Sequence, residues 1–155
     1  MFDRIAETPI EDIQGREPVL VKTKSPLLAV VLAMRTGGRG AAIVEDSAGK
    51  IIGIFTERLL ITRVDHSSQA WLDQSVDEVM DYDPKTIEKS HYVREALAIM
   101  SRDKIRYLPI IDADNHALGI VTIRDILKHF AAHFPSEFQN LPPDPDHEAT
   151  DLYGG

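Results

Sequence analysis

The sequence predicts an α+β fold made of two pseudo-symmetric βαββα units, each with a short leading helix, packed on each other into a disc. The chain repeats itself without a gap at an offset of 66 residues, which moves Gly53-Ile54-Phe55-Thr56 onto Gly119-Ile120-Val121-Thr122. Internal repetition of this kind is typical of a unit that stacks on a second copy of itself. A unit of about 60 residues would be only marginally stable alone, because it buries too little of its surface, so we expect the two copies to share a core.

In the first copy, the capping and turn residues mark where each element begins and ends. Thr8 followed by Pro9 and Glu11 has the N-cap, first-turn proline and N3 glutamate of a helix start. Gly37-Gly38 suits a left-handed helix end, and the polar turn 46–49 separates two apolar strands. The predicted elements are a leading helix from residue 8, a strand at 19–22, a helix from residue 25, strands at 41–45 and 50–55, and a helix at 56–63.

The second copy carries the same signals in the same order. Ser75 and Glu78 have the spacing of a capping box, and Thr122 is placed to cap the last helix. The predicted elements are a leading helix from residue 75, strands at 86–88, 107–111 and 117–121, and helices at 92–102 and 122–133. The sequence therefore divides into a first unit at 8–66, a polar linker at 67–74, a second unit at 75–133 and a tail at 134–155. The tail is rich in proline and acid, and we expect it to lie extended across the folded body or a partner chain.

Composition argues against several classes of protein. The 25 acidic and 17 basic residues give a formal net charge of −8, which disfavours a nucleic-acid binder. The absence of cysteine excludes disulfides and thiolate metal sites. No apolar run approaches the roughly 18 residues of a membrane span, and the first residues lack the apolar core of a signal peptide. We therefore expect a cytoplasmic protein that does not bind membranes.

The turn into the last helix carries the chemistry. Gly119 is expected to let another group approach the backbone closely, and Thr122 lies at a helix N-terminus, where free N–H groups and the helix dipole favour phosphate. Asp125 presents a carboxylate one turn later, and a carboxylate that accepts two hydrogen bonds suits a vicinal diol such as a ribose. Together these groups describe a nucleotide site. The same residues also fit a plain helix cap with a charge in the first turn, which binds nothing.

The doubled unit, each copy ending in a Gly-Ile-x-Thr-x-Arg-Asp type of turn, resembles a tandem pair of cystathionine-beta-synthase (CBS) domains, or Bateman module. The resemblance covers residues 8–133 and implies clefts between the copies that bind AMP, ADP, ATP or S-adenosylmethionine. Base, ribose and phosphate contacts carried over from the family fall on Thr86, Ile87, Arg106, Tyr107, Pro109, Thr122, Arg124 and Asp125. Arg106 and Tyr107 also fit an exposed strand residue and a half-buried strand aromatic without a binding role.

The first copy departs from the family pattern. Leu59 replaces the motif aspartate, and Gly40 stands where the second copy has Arg106. A leucine cannot accept hydrogen bonds from a ribose, which costs about 1–3 kcal/mol in a closed site. We therefore expect one competent adenosine site per chain, on the second copy. The first cleft would offer only weaker contacts from Thr56, Arg58 and Arg39.

These patterns favour a regulatory sensor module, involved for example in energy sensing, that binds an adenosine nucleotide, forms a homodimer through its helices and is not an enzyme. No catalytic cofactor and no metal are expected, and His129 and His133 lack the glutamate of a metalloprotease helix. Two alternatives stay open. The first is an interaction or dimerisation scaffold with vestigial clefts, and the second is a nucleotide hydrolase, which would need a metal-held phosphate site.

Overall fold

The computed structural model describes residues 2–13 and 15–133. In the first copy the elements are α1 (Phe2–Ala6), a 3-10 turn (Ile10–Asp12), β1 (Leu20–Lys22), α2 (Leu27–Gly37), β2 (Ala41–Glu45), β3 (Ile51–Thr56) and α3 (Glu57–Thr62). A 3-10 turn (Gln69–Asp73) connects the copies. The second copy comprises a 3-10 turn (Val76–Glu78), β4 (Asp81–Tyr82), β5 (Ile87–Glu88), α4 (Val93–Asp103), β6 (Tyr107–Ile111), β7 (Ala117–Thr122) and α5 (Ile123–His133).

This mixed α+β architecture confirms the predicted class and the repeated βαββα order. The leading helices are single 3-10 turns instead of α-helices, because each has only three residues before the chain extends. The sequence patterns did not predict α1 or the two-residue strand β4. The predicted tail lies outside the described residues.

Two sheets repeat the same pairing. The first has the order β1-β2-β3-β4 and the second the order β5-β6-β7, each with one parallel pair followed by an antiparallel hairpin. Both hairpins contain a register shift, at Val44/Glu45 and at Ile110/Ile111, which are equivalent positions of the repeat. The duplication therefore extends to the irregularities of the strands.

Each copy's leading segment packs on the other copy. Ile10 and Ile13 are buried in the second copy's core, with Val93 and Phe130. The reverse holds for the second leading segment, whose buried members Val76, Val79 and Met80 lie in the first copy's core. The backbone follows the same exchange, since β4 pairs with β3 and Arg16 forms a bridge with Ile120 of β7. Each core thus includes residues of the other copy, as expected for units that would be marginally stable alone.

A seam between the sheets joins the copies directly. Buried Ala41, Ile54 and Ile120 form a small apolar cluster there, against which Tyr107 packs. At one end of the seam the hairpin turns interlock, because Ile51 N donates to Asn115 O at 3.1 Å and Asn115 Nδ2 donates to Ile51 O at 3.2 Å. This seam sets the position of the cavity described next.

Candidate functional site

A cavity of about 690 Å³ opens between the copies beside the start of α5. Its volume lies in the usual range for small-molecule sites. The residues that line it come from both copies: Arg16, Val19, Gly38, Arg39, Gly40, Ala41, Arg106, Tyr107, Ile120, Thr122, Ile123, Arg124, Asp125 and Leu127.

Asp125 is the buried acid of this cavity, with 6% of its surface exposed. Its Oδ2 accepts hydrogen bonds from Thr122 N at 3.0 Å and from Thr122 Oγ1 at 2.9 Å. In return Asp125 N donates to Thr122 Oγ1 at 3.1 Å. This reciprocal cap fixes Oδ2 and leaves Oδ1 as the oxygen available to a ligand.

Arg16 is the cation nearest to that free oxygen. Its Nε lies 3.6 Å from Asp125 Oδ1, which makes an ion pair longer than a hydrogen bond. Arg16 belongs to the segment before β1 that lies along β7, so the first copy supplies the partner of the second copy's motif aspartate. A ligand that hydrogen-bonds to Oδ1 would share this oxygen with Arg16 or displace it.

Three further arginines line the same space. Arg39 follows the left-handed end of α2 at Gly38, whose φ is 61°. Its Nε is buried and has no hydrogen-bond partner among the described residues. Arg106 and Arg124 are exposed at the entrance to β6 and in the first turn of α5. The cavity therefore combines one buried carboxylate with four guanidinium groups.

Tyr107 crosses the seam toward the first copy. A Cβ built on Gly40 would lie 2.2 Å from the Tyr107 hydroxyl oxygen, so only glycine leaves room for this ring. Burial and then the nearby Glu57 carboxylate raise the pKa of Tyr107, while Arg106 acts in the opposite direction. Tyr107 thus enters the cavity as a neutral phenol.

Six of the residues proposed from sequence line the cavity: Arg39, Arg106, Tyr107, Thr122, Arg124 and Asp125. Thr86, Ile87 and Pro109 do not line it. Ile87 is buried in the second copy's core, and Pro109 is buried within β6 opposite Ile120. The segment before β1 occupies this side of the cavity instead of the segment before β5, because the leading segments are exchanged between the copies.

The first copy's motif differs in its packing. Leu59, at the position equivalent to Asp125, is 2% exposed and belongs to the first copy's core. Thr56 caps α3 by accepting a hydrogen bond from Leu59 N at 3.3 Å, and Arg58 is exposed. Neither lines the cavity around Asp125, whereas Arg39, which was expected in the first cleft, does line it.

At Gly119 we expected a close approach of another group to the backbone, but the structure leaves room for a Cβ there. A Cβ there would meet its nearest neighbour, the Arg16 carbonyl oxygen, at 3.6 Å, which is an ordinary contact. A Cβ added at the equivalent Gly53 would lie 2.3 Å from Met80 Sδ. The packing therefore requires glycine at position 53 of the first copy and not at position 119 of the second.

The turn between β6 and β7 holds the one group of possible metal ligands found among the described residues. Ligand atoms of Asp112, Asp114 and His116 lie within 4.8 Å of one another. Asp112 Oδ1 already accepts from Asp114 N and His116 N at 2.9 Å each, and these bonds together lower the pKa of Asp112. His116 Nε2 lies 3.2 Å from Ala48 O, which ties this turn to the first copy. These contacts give the cluster a structural role in the interlocked turns.

Comparison with known proteins agrees with the repeat. A family model described as the CBS domain matches residues 10–66 and again residues 76–132. The arabinose 5-phosphate isomerase KdsD of Pseudomonas aeruginosa is 32% identical over 123 residues, which cover 77% of this chain but only 37% of that enzyme. Within the described residues, no helix is both long enough and apolar enough to cross a membrane.

Solved structures share the whole two-copy arrangement. The CBS-domain containing protein ATU1752 from Agrobacterium tumefaciens is 27% identical, with a TM-score of 0.70 over 78% of this chain and 98% of its own. The CBS domain pair of MJ0100, solved with 5-methylthioadenosine and S-adenosyl-L-methionine, is 21% identical, with a TM-score of 0.71 over 82% of this chain and 98% of its own. The second likeness supports the fold.

Proposed function

Because this chain belongs to the CBS-domain family, we propose that it is a regulatory module that binds an adenosine nucleotide in the cavity around Asp125. The observation that carries the proposal is a buried carboxylate with one committed and one available oxygen, at the N-terminus of an eleven-residue helix. The available oxygen suits a ribose diol, and the N–H groups at the start of the helix that the cap does not engage suit phosphate. Adenosine compounds bound to the MJ0100 pair support this class of ligand.

Regulation would act through the packing of the two copies. Arg16 and Arg39 of the first copy and Asp125 of the second line one cavity, so a bound ligand contacts both. A ligand that prefers one relative packing shifts the population toward it. We propose that the molecule that responds to this change in packing is a partner protein or a second copy of this chain in a cytoplasmic homodimer. Leu28 and Leu32, exposed one turn apart on α2, offer an apolar surface for such contact.

Titration calorimetry with AMP, ADP, ATP and S-adenosylmethionine tests the proposal. We expect one site per chain, and a thermal transition that rises with ligand concentration by mass action. Asp125→Ala should weaken binding about tenfold to a hundredfold, as expected for ribose hydroxyls left without an acceptor. Because Asp125→Ala also removes the helix cap, Asp125→Asn is the second variant, in which the amide oxygen still accepts from Thr122.

Asp73→Ala, an exposed acid of the connector, is the matched control and should leave affinity unchanged. Binding of equal strength in wild type and both Asp125 variants would contradict the proposal. Failure of every adenosine compound to bind or to raise the thermal transition would favour the scaffold alternative. Product analysis after prolonged incubation with ATP should show no hydrolysis, and turnover would favour the hydrolase alternative.

A further inference from the structure

We infer that the cavity selects nucleotides with two or more phosphates over nucleoside monophosphates and over cationic or neutral adenosine compounds. The inference rests on the proposed function and specifies the ligand of the same site. The first observation that supports it is the positive charge of the cavity lining. Arg16, Arg39, Arg106 and Arg124 line the cavity, and among the residues that the structure describes Asp125 is the only acid of the lining, in a chain whose formal net charge is −8.

The repeat shows that this charge exceeds what the fold requires. At an offset of 66 residues, the positions equivalent to Arg16, Arg39, Arg106 and Arg124 are Tyr82, Ile105, Gly40 and Arg58. Three of the four arginines therefore have no arginine at the equivalent position of the repeat. Both copies have the same βαββα order although these arginines are not repeated, so the repeated fold does not account for them.

Most of these arginines have no ion-pair partner among the described residues, although the Glu57 carboxylate lies near Tyr107 in the same region. Among the described residues, Arg16 forms an ion pair with Asp125, whereas Arg39, Arg106 and Arg124 form none. Within the described part of the chain, the buried Nε of Arg39 has no hydrogen-bond partner, and its Nη1 reaches only the Gly38 carbonyl oxygen, at 3.5 Å. A buried donor without a partner costs free energy, so the site is arranged for an acceptor that a ligand brings.

The distribution of the arginines indicates how many phosphates that ligand needs. Arg16 and Arg39 come from the first copy, and Arg106 and Arg124 from the second. Guanidinium groups bind phosphate through paired, charge-assisted hydrogen bonds, and four of them carry more positive charge than the roughly two negative charges of one phosphate group balance. A chain of phosphates can engage arginines of both copies. S-adenosylmethionine, with a sulfonium and an ammonium group against one carboxylate, would add to the positive charge.

Calorimetric titration with ATP, ADP, AMP, 5-methylthioadenosine and S-adenosylmethionine, without magnesium and at low and high salt, tests the inference. We expect ADP and ATP to bind at least about tenfold more tightly than AMP, and S-adenosylmethionine to bind most weakly. The advantage of ATP should shrink at high salt, because screening weakens charge pairing.

Arg39→Gln and Arg124→Gln should weaken the binding of ATP about tenfold and leave the binding of 5-methylthioadenosine unchanged. Arg35→Gln removes one exposed charge outside the cavity lining and is the matched control. Equal affinities for ATP, AMP and 5-methylthioadenosine, or tightest binding of S-adenosylmethionine, would overturn the inference and leave the proposed function standing. Absence of binding by all five compounds would overturn both.

Discussion

Gly40 is the residue whose replacement most directly tests the packing of Tyr107 in the cavity. A methyl group at this position would lie 2.2 Å from the Tyr107 hydroxyl oxygen and 3.2 Å from Cζ, the ring carbon that bears it. Contacts below 3.0 Å are essentially never found for a real Cβ, so Gly40→Ala must move the tyrosine ring. The ring packs against the seam cluster of Ala41, Ile54 and Ile120, and therefore cannot move without loosening the seam.

The expected size follows from two opposing effects. Overpacking of a well-packed site costs about 1–3 kcal/mol. The substitution also lowers the entropy of the unfolded chain, which stabilises by about 0.4–1 kcal/mol, and the φ of Gly40 is outside the left-handed region, so no backbone strain is added. Gly40→Ala should therefore lower the free energy of unfolding by about 1–2 kcal/mol.

Tyr107→Phe should restore part of the stability lost in Gly40→Ala, because it removes the hydroxyl oxygen that makes the closest contact with the new methyl group. With the hydroxyl gone, the nearest ring atom lies 3.2 Å from the new methyl group, which a shift of a few tenths of an ångström relieves. Urea unfolding of wild type, both single variants and the double variant gives the coupling free energy. We expect the double variant to recover about 1 kcal/mol or more relative to Gly40→Ala. Additive effects, within about 0.5 kcal/mol, would refute the contact between Tyr107 and Gly40.

Two further predictions concern packing and titration. Gly53→Ala should lower the free energy of unfolding by about 1–3 kcal/mol, because its methyl group would meet the buried side chain of Met80. Gly119→Ala, at the equivalent position, should be neutral or raise that free energy by up to about 1 kcal/mol. Equal effects of the two substitutions in urea unfolding would contradict this asymmetry. Burial, and then the neighbouring His133, lower the pKa of His129 below its ordinary value of 6.5, so the unfolded chain binds more protons than the folded chain as pH falls through that value. Stability should accordingly be fully present above about pH 7 and decline below pH 6.5, and His129→Gln should reduce that slope in urea unfolding at pH 7.5, 6.5 and 5.5.

Local signals predicted the secondary structure well, because capping and turn residues act over a few positions. The bounds of β2 and β6 agree with those predicted, and Thr56 and Thr122 cap their helices as expected. The repeat strengthened each assignment, since a pattern that occurs twice at one offset has to fit the same unit twice. The strand β4 was missed because two residues carry no periodicity.

The composition of the cavity was harder to predict, because it depends on which copy each segment packs against. Arg16 shows no pattern of its own, and only its bridge with Ile120 brings it to Asp125. Arg39 follows a helix end in the first copy, so assignment by sequence position gave it to the first cleft. Thr86 and Ile87 were expected in the cavity by family resemblance, but the exchange of leading segments brings residues before β1 there instead. Long-range strand pairing leaves no local trace in a single sequence.

The same exchange explains how occupancy of one cavity can affect the whole chain. Arg16 is continuous with Ile13 and Ile10, which are buried in the second copy's core, and its backbone bridges to β7. A ligand that draws Arg16 away from Asp125 therefore pulls on a segment that both copies need for their packing. Arg39, which follows the end of α2, lines the same cavity, so under the proposal the phosphates of a bound ligand would link the segment before β1 to α2. A coupling free energy of about 1–3 kcal/mol is typical of linked sites, and this is the size that we expect for the effect of ligand binding on the packing of the two copies.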